Sequence, residues 1–247
     1  DDSSVNNAER RADWWLFGGI YRPVYLRALP KTHIAHAGID AKADGTLTLD
    51  LTTEGLADGY KLSASISPLQ SQAAQQSPQK SVSLSSGKRQ RVALRFDGVK
   101  PWDRTSERVG FRTIEFRPRD GFYLNGTKLN IKGVNRHCFY PETGRTPDKR
   151  RDIADVRLIK GMNANAIRSH YPPGSPFLDI CDSLGVLYFN ELPGWQNHYS
   201  TATGTQILGE MMAAEANHPC IFVWGNGNEG GNNLKLDPLF AELDPQR

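Results

Sequence analysis

The sequence predicts a multidomain chain of mixed α and β type, with a β-rich first half followed by a succession of parallel β/α units. Three observations carry this. Segments before residue 117 alternate apolar and polar residues with period two, the pattern of half-buried strands. After residue 121, short apolar runs alternate with segments whose apolar residues recur at helical spacing. The 247 residues, 38% hydrophobic and 23% charged, suffice to bury a sizeable core in one large domain or two smaller ones.

Residues 1–32 are aromatic around Trp14-Trp15-Leu16-Phe17-Gly18-Gly19, with Pro23 and Pro30 as punctuation. Within 33–117, Thr46-Leu47-Thr48-Leu49-Asp50-Leu51, Lys61-Leu62-Ser63-Ala64-Ser65-Ile66 and Arg91-Val92-Ala93-Leu94-Arg95-Phe96 read as strands. Turns at Asp44-Gly45 and Asp58-Gly59 and a Ser/Gln-rich loop over 67–79 separate them, which is the signature of a small β-sandwich. Further on, a strand over 129–135 follows the Asn125-Gly126 turn. A helix over 148–162 carries Ile153, Val156, Ile159 and Met162 at every third position. A strand over 164–169, a helix over 176–184 ended by Gly185 and a strand over 186–189 come next. A helix over 205–217, stopped by His218-Pro219, and a strand over 221–224 complete the run. Such a succession implies parallel strands, in a doubly wound sheet or in part of a (β/α)₈ barrel.

Composition narrows the partners. Thirty basic against 27 acidic residues leave +3, too little to argue for nucleic acid. Ten Lys/Arg against four Asp/Glu crowd into 88–119, but the arginines alternate with apolar residues on strands and read as a solvated sheet face. No apolar run approaches the ~18 residues of a membrane span, so no membrane partner is expected. The N-terminus lacks the basic and apolar regions of a signal peptide. Localisation is not fixed, a periplasmic or secreted setting being slightly favoured over the cytoplasm. Cys138, Cys181 and Cys220 stand 43 and 39 residues apart. That is neither a zinc spacing nor a disulfide framework, and all three read as buried structural thiols.

In either parallel architecture, chemistry collects at the C-terminal ends of the strands. That rule gathers His137, Arg168, His170, Glu191, Trp195 and Glu229 on one rim. Singly, each has a plain structural reading, since a strand-end Arg–Glu pair often only braces the fold. Convergence from four strand ends is what points to a site. Glu229 stands out because it follows a buried strand among Gly225, Gly227, Gly230 and Gly231, residues that let backbone and ligand come close. A carboxylic acid beside an apolar wall such as Trp224 would keep its proton toward neutral pH, as a general acid requires. The glycine run lacks the lysine of a phosphate loop and opens no helix. His137, His170 and Glu229 could ligate a metal, but no helix carries an i,i+4 histidine pair. Neither a metal nor a cofactor is expected.

Several motifs resemble glycoside hydrolase family 2. Trp15-Leu16-Phe17-Gly18-Gly19-Ile20-Tyr21-Arg22-Pro23-Val24 resembles the end of its sugar-binding jelly roll, and Val109-Gly110-Phe111-Arg112 the exit from its immunoglobulin-like domain. Lys132-Gly133-Val134-Asn135-Arg136-His137, Ala166-Ile167-Arg168-Ser169-His170-Tyr171-Pro172, and His218-Pro219 followed by Gly227-Asn228-Glu229 resemble its barrel motifs, in their usual order. The resemblance implies the end of a β jelly roll over 1–32, an immunoglobulin-like β-sandwich over 33–117, and the first half of a (β/α)₈ TIM barrel over 118–247. It implies a retaining exo-β-glycosidase acting on terminal β-linked sugars of oligo- or polysaccharides. β-Galactosidase is the first expectation, with β-glucuronidase or β-mannosidase as alternatives. A non-catalytic carbohydrate-binding protein on the same fold is the reading from a different class. A homo-oligomer is compatible with all of these.

By the same resemblance Glu229 is the acid/base and Asn228 binds the sugar 2-hydroxyl. His137, Arg168 and His170 line the pocket, Asp13 reaches it from the jelly roll, and Trp195 forms a stacking wall. Two departures remove the family's magnesium from the expectation: Cys138 stands where an acid is usual, and Leu192-Pro193-Gly194-Trp195-Gln196-Asn197 lacks the Glu-x-His that supplies ligands. The family nucleophile lies near the seventh barrel strand, whereas the acids after Glu229 are Asp237, Glu242 and Asp244. One of the two catalytic carboxylates is therefore expected here, and the chain alone is expected to be inactive.

Overall fold

A computed structural model describes residues 3–10, 22, 24, 26–41, 47–55, 60, 62, 84, 90–93, 110 and 112–247. They fall into two compact units, Leu26–Phe111 and the combination of Asp1–Tyr25 with Arg112–Arg247.

In the smaller unit, β1 (His33–Ala41), β2 (Leu47–Glu54) and β3 (Gln90–Ala93) form an antiparallel sheet in that order. Leu49, Leu51 and Thr53 are buried at alternate positions of β2, as a strand with one face on a core requires. Leu49 and Leu51 pack with Leu62 and Leu84, and Ile34, Ala37 and Ile39 cover them. Apart from Leu62, the strand expected over 61–66 lies outside the described residues, as do the loop over 67–79 and the turns at 44–45 and 58–59.

The larger unit opens with a helix, α1 (Ser3–Arg10), in the segment expected to end a β jelly roll. Val5 and Ala8, three apart on one helical face, pack into a core of the same unit. Residues 11–21, which carry most of the jelly-roll motif and Asp13, lie outside the described residues. A meander of β4 (Ile114–Arg117), β5 (Gly121–Leu124) and β6 (Thr127–Lys128) follows. Its last turn uses Asn125 and Gly126, both at positive φ, the backbone that suits a two-residue hairpin. The sequence reading assigned residues up to 117 to the sandwich. Here the meander belongs to the larger unit, where Phe122 packs with Ala166, Leu187 and Phe222.

Then come β7 (Gly133–Asn135), α2 (Lys149–Gly161), β8 (Ala166–Arg168), α3 (Ser175–Leu184), β9 (Leu187–Trp195), α4 (Thr201–Glu215) and β10 (Ile221–Asn228). A 3₁₀ turn at Leu234–Leu236 and α5 (Asp237–Leu243) close the chain. The four strands β7 to β10 are parallel and lie side by side in sequence order. A doubly wound sheet reverses its order at a switch point; this one does not, so the barrel alternative holds.

Local chemistry explains the helix ends. Asp148 caps α2 by accepting from Arg150 N at 2.9 Å and Arg151 N at 3.3 Å. Gly185, at φ 67°, ends α3. Ser200 accepts from Thr203 N and starts α4 four residues before the apolar periodicity does. Helices α2 and α3 bury Val156, Ile159, Phe177, Leu178 and Cys181 against Ile167, Tyr188 and Ile221 of the sheet. A second core joins Leu192, Tyr199, Leu208, Met211, Met212 and Leu236. Among the described residues no helix is long and apolar enough to cross a membrane.

Candidate active site

The site is built on the C-terminal ends of β8, β9 and β10. Arg168 ends β8, and its Nε and Nη2 donate to Glu191 Oε2 and Oε1 at 2.7 and 2.9 Å. Nη2 also donates to Asn228 Oδ1 at 2.8 Å. His170 Nδ1 donates to Glu191 Oε1 at 2.9 Å. Glu191 is only 1% exposed, so its charge is tolerated because two cationic or N–H partners surround it. The strand-end Arg–Glu pair is thus a clamp that orients Arg168, His170 and Asn228 together. Behind it, Asn190 Nδ2 donates to the buried Glu215, while Asn190 Oδ1 accepts from Glu191 N at 3.0 Å. Burial pushes the Glu215 carboxyl up to about 7, against the bond from Asn190.

His137 stacks with Tyr171 and Phe139, ring centres 5.8 Å away in each case, and Tyr171 in turn lies 6.5 Å from His170. Loss of water, then the neighbouring His170, Arg145 and Arg168, lower the His137 pKa. Its neighbour Arg136 turns away from the rim. It bonds Asp155, Asp152 and Tyr140 and lies over Phe177 at 4.3 Å, bracing α2 and α3.

Glu229 is exposed just past β10, in left-handed backbone at φ 47°. Its Oε2 accepts from the indole Nε1 of Trp195 at 2.7 Å. Two expectations need correction. Trp224 does not wall Glu229: its ring packs into the cores and its Nε1 donates to Asp244 Oδ2 at 2.8 Å, since an indole buried there needs a partner. Two of the glycines, Gly227 and Gly231, serve backbone packing rather than ligand approach. A Cβ on Gly231 would stand 2.2 Å from Gly194 C, and one on Gly227 2.3 Å from Gly231 O, so the ends of β9 and β10 touch through bare backbone.

Arg168, His170, Asn228, Trp195 and Glu229 are therefore brought onto one rim, with His137 beside them, while Asp13 lies outside the described residues. Sequence reasoning placed Glu191 on the rim without naming its role, and missed Tyr171 and the Asn190–Glu215 pair. The Asn190-Glu191 doublet at the end of a buried strand was the available signal for Glu191. Cys181 and Cys220 are buried, as expected, but Cys138 is half-buried. It lines a cleft with Arg22, Arg136, Tyr140, Tyr171 and Phe177, a cleft whose lining includes neither Asn228 nor Glu229. Desolvation raises the pKa of all three thiols.

One group of potential metal ligands exists among the described residues, Asp179, Asp182 and His218. It lies at the opposite end of the sheet. His218 Nδ1 donates to Asp182 Oδ2 at 2.7 Å and Cys220 N to Oδ1 at 2.8 Å, which accounts for both oxygens of Asp182.

Residues 115–247 match the family described as glycosyl hydrolases family 2, TIM barrel domain. Over 260 residues the chain is 30% identical to a β-galactosidase of Thermoanaerobacter pseudethanolicus, covering 86% of this chain and 33% of that protein. It is 30% identical over 278 residues to a putative β-glucuronidase of Formosa agariphila, covering 95% of this chain and 33% of that one. A solved structure of Bacteroides uniformis β-glucuronidase 3 is similar with a TM-score of 0.73 and 25% identity, over 96% of this chain and 35% of that one. The chain spans about a third of the length of these proteins.

Proposed function

The chain belongs to glycosyl hydrolases family 2, and from that premise we propose that it carries the acid/base side of a retaining β-glycosidase site, in a protein that removes terminal β-linked galactose. The observation that carries the reading is the Asn228-Glu229 pair at the C-terminal end of β10, with Asn228 Oδ1 held by Arg168 at 2.8 Å. Since Oδ1 is occupied, the Asn228 amide donates its N–H groups to the sugar 2-hydroxyl. A glycosidic oxygen leaves poorly until protonated, so Glu229 supplies that proton. A second carboxylate ~5–5.5 Å away attacks the anomeric carbon and gives retention. After departure of the aglycone, the Glu229 carboxylate takes a proton from the water that releases the sugar. Arg168, His137 and His170 line the sugar pocket, with Asp13 completing it.

In the same reading residues 1–32 end a jelly roll, the immunoglobulin-like sandwich of 33–117 yields its last residues from Arg112 to the larger unit, and 118–247 form the first half of the catalytic barrel. The antiparallel β1–β3 sheet and the sequential β7–β10 sheet support the last two. β-Galactoside is the first substrate and β-glucuronide the second. Relatives bear both names, and Arg168, a rim arginine that could meet a uronate carboxylate, is already engaged by Glu191 and Asn228.

The test is Glu229→Gln in the full-length protein, assayed on natural and activated aryl β-glycosides. A loss of about 10²–10⁴-fold on natural glycosides, with little loss on 2,4-dinitrophenyl glycosides, is expected. Equal activity of variant and parent on both would sink the assignment. Sugar binding without any hydrolysis by the parent would favour a carbohydrate-binding protein instead. A panel of p-nitrophenyl sugars ranks the substrates.

A further inference from the structure

We propose that Trp195 is a positioning residue that acts through Glu229, its indole N–H anchoring Oε2 so that Oε1 is the oxygen that exchanges the proton with the glycosidic oxygen. The inference rests on the acid/base reading above and departs from the expectation of a sugar-stacking wall. An indole N–H is a donor only, so it can hold a carboxyl oxygen but cannot take or pass the catalytic proton. The bond to Oε2 is 2.7 Å, and among the described residues Oε1 has no partner.

The backbone around this bond is closely packed. Asn228 of β10 pairs with Trp195 of β9 at the end of their register, which brings the next residue, Glu229, against the indole. Trp195 is flanked by Gly194, in backbone contact with Gly231, and by Gln196 at φ 57°. Glu229 itself is left-handed at φ 47°. Non-glycine residues held in that region are strained, and here two of them end neighbouring strands. What remains free is the glutamate side chain, which loses rotamer entropy when ordered. The indole bond removes that freedom before substrate arrives. In the reaction, Oε1–H gives its proton to the glycosidic oxygen as the C–O bonding pair moves to that oxygen. The carboxylate left behind, still anchored at Oε2, takes a proton from the attacking water.

Trp195→Phe keeps an aromatic ring and deletes the donor. In the full-length protein kcat/KM is expected to fall about tenfold further on a natural β-glycoside than on its 2,4-dinitrophenyl counterpart. A donor to the carboxylate favours the charged form, so its loss moves the basic limb of the kcat/KM profile to higher pH. A change in KM alone, with an unshifted profile, would mean that Trp195 is only a platform for the sugar. Glu229→Gln is assayed in parallel. Impaired Glu229→Gln beside a normal Trp195→Phe overturns this proposal alone; normal natural-substrate turnover by Glu229→Gln overturns the acid/base reading and this proposal with it. A third measurement needs neither activity nor a folded Trp195 variant. In ¹⁵N-labelled protein the Trp195 indole N–H signal should move with pH in a one-proton step that Glu229→Gln abolishes. An indole signal that shows no such step in the parent overturns the proposal.

Discussion

Two histidine–carboxylate pairs stand at opposite ends of the parallel sheet with nearly the same geometry. His170 meets Glu191 at 2.9 Å on the rim, and His218 meets Asp182 at 2.7 Å where β10 begins. Both carboxylates are buried, at 1% and 4% side-chain exposure. They differ in what else the carboxylate holds. Asp182 spends its other oxygen on Cys220 N and ties α3 to the start of β10. Glu191 binds Arg168, which reaches on to Asn228 beside the exposed Glu229. A His–carboxylate pair is thus no sign of chemistry by itself. What sets the rim pair apart is a network that leads outward, through Arg168 to Asn228 beside the exposed Glu229.

Variants can break or sharpen that contrast. The largest effect is expected from Glu191→Gln, which leaves Arg168 and His170 without their carboxylate. Breaking a buried ion pair from one side costs about 3–5 kcal/mol, read as a lower urea midpoint, with activity collapsing as Asn228 loses its brace. A loss below about 1 kcal/mol would show that the rim does not depend on Glu191.

Next comes the pH dependence set by Glu215, which touches the same strand through Asn190 but does not reach the rim. Its carboxyl is raised from the usual 4.5 to about 7 in the folded protein. Between those values the unfolded chain ionises while the folded one keeps its proton, so stability falls as pH rises and levels off above about 7. The drop amounts to about 3 kcal/mol at most. Urea titrations from pH 4 to 8 on the parent and on Glu215→Gln measure it, and an unchanged slope in the variant would assign it elsewhere.

The smallest effect belongs to Asp182→Asn, which keeps shape and loses charge. A loss of about 1–2 kcal/mol in stability is expected, without change in the ratio of activities on natural and dinitrophenyl glycosides. A shift in that ratio would join the lower pair to the active site.

Much of the larger unit was legible because its helices announce both face and ends. The spacing of Val156 and Ile159 and the stop at Gly185 are local facts, and α2 and α3 follow them closely. Strand ends were less legible. β9 runs to Trp195 and β10 to Asn228, well beyond their apolar runs, because pairing with each other satisfies the backbone where side chains no longer report burial. Helix α5, with no buried residue of its own, has no strong pattern to read. In the candidate site, strand-end positions placed Arg168, His170 and Glu229 on one rim, and the family resemblance added Asn228. The partners of each were not readable, which is why Trp224 was mistaken for the indole beside Glu229.

By itself, then, the sequence determined the order of the elements and which polar residues fall at the strand ends, since periodicity and motif order are written residue by residue. Tertiary structure alone decided that the parallel strands keep sequence order, that Glu191 clamps Arg168 and His170, and that Trp195 holds Glu229. Those depend on strand register and on which backbones touch. Residues 23 and 34 apart in the chain meet only because β8, β9 and β10 lie side by side.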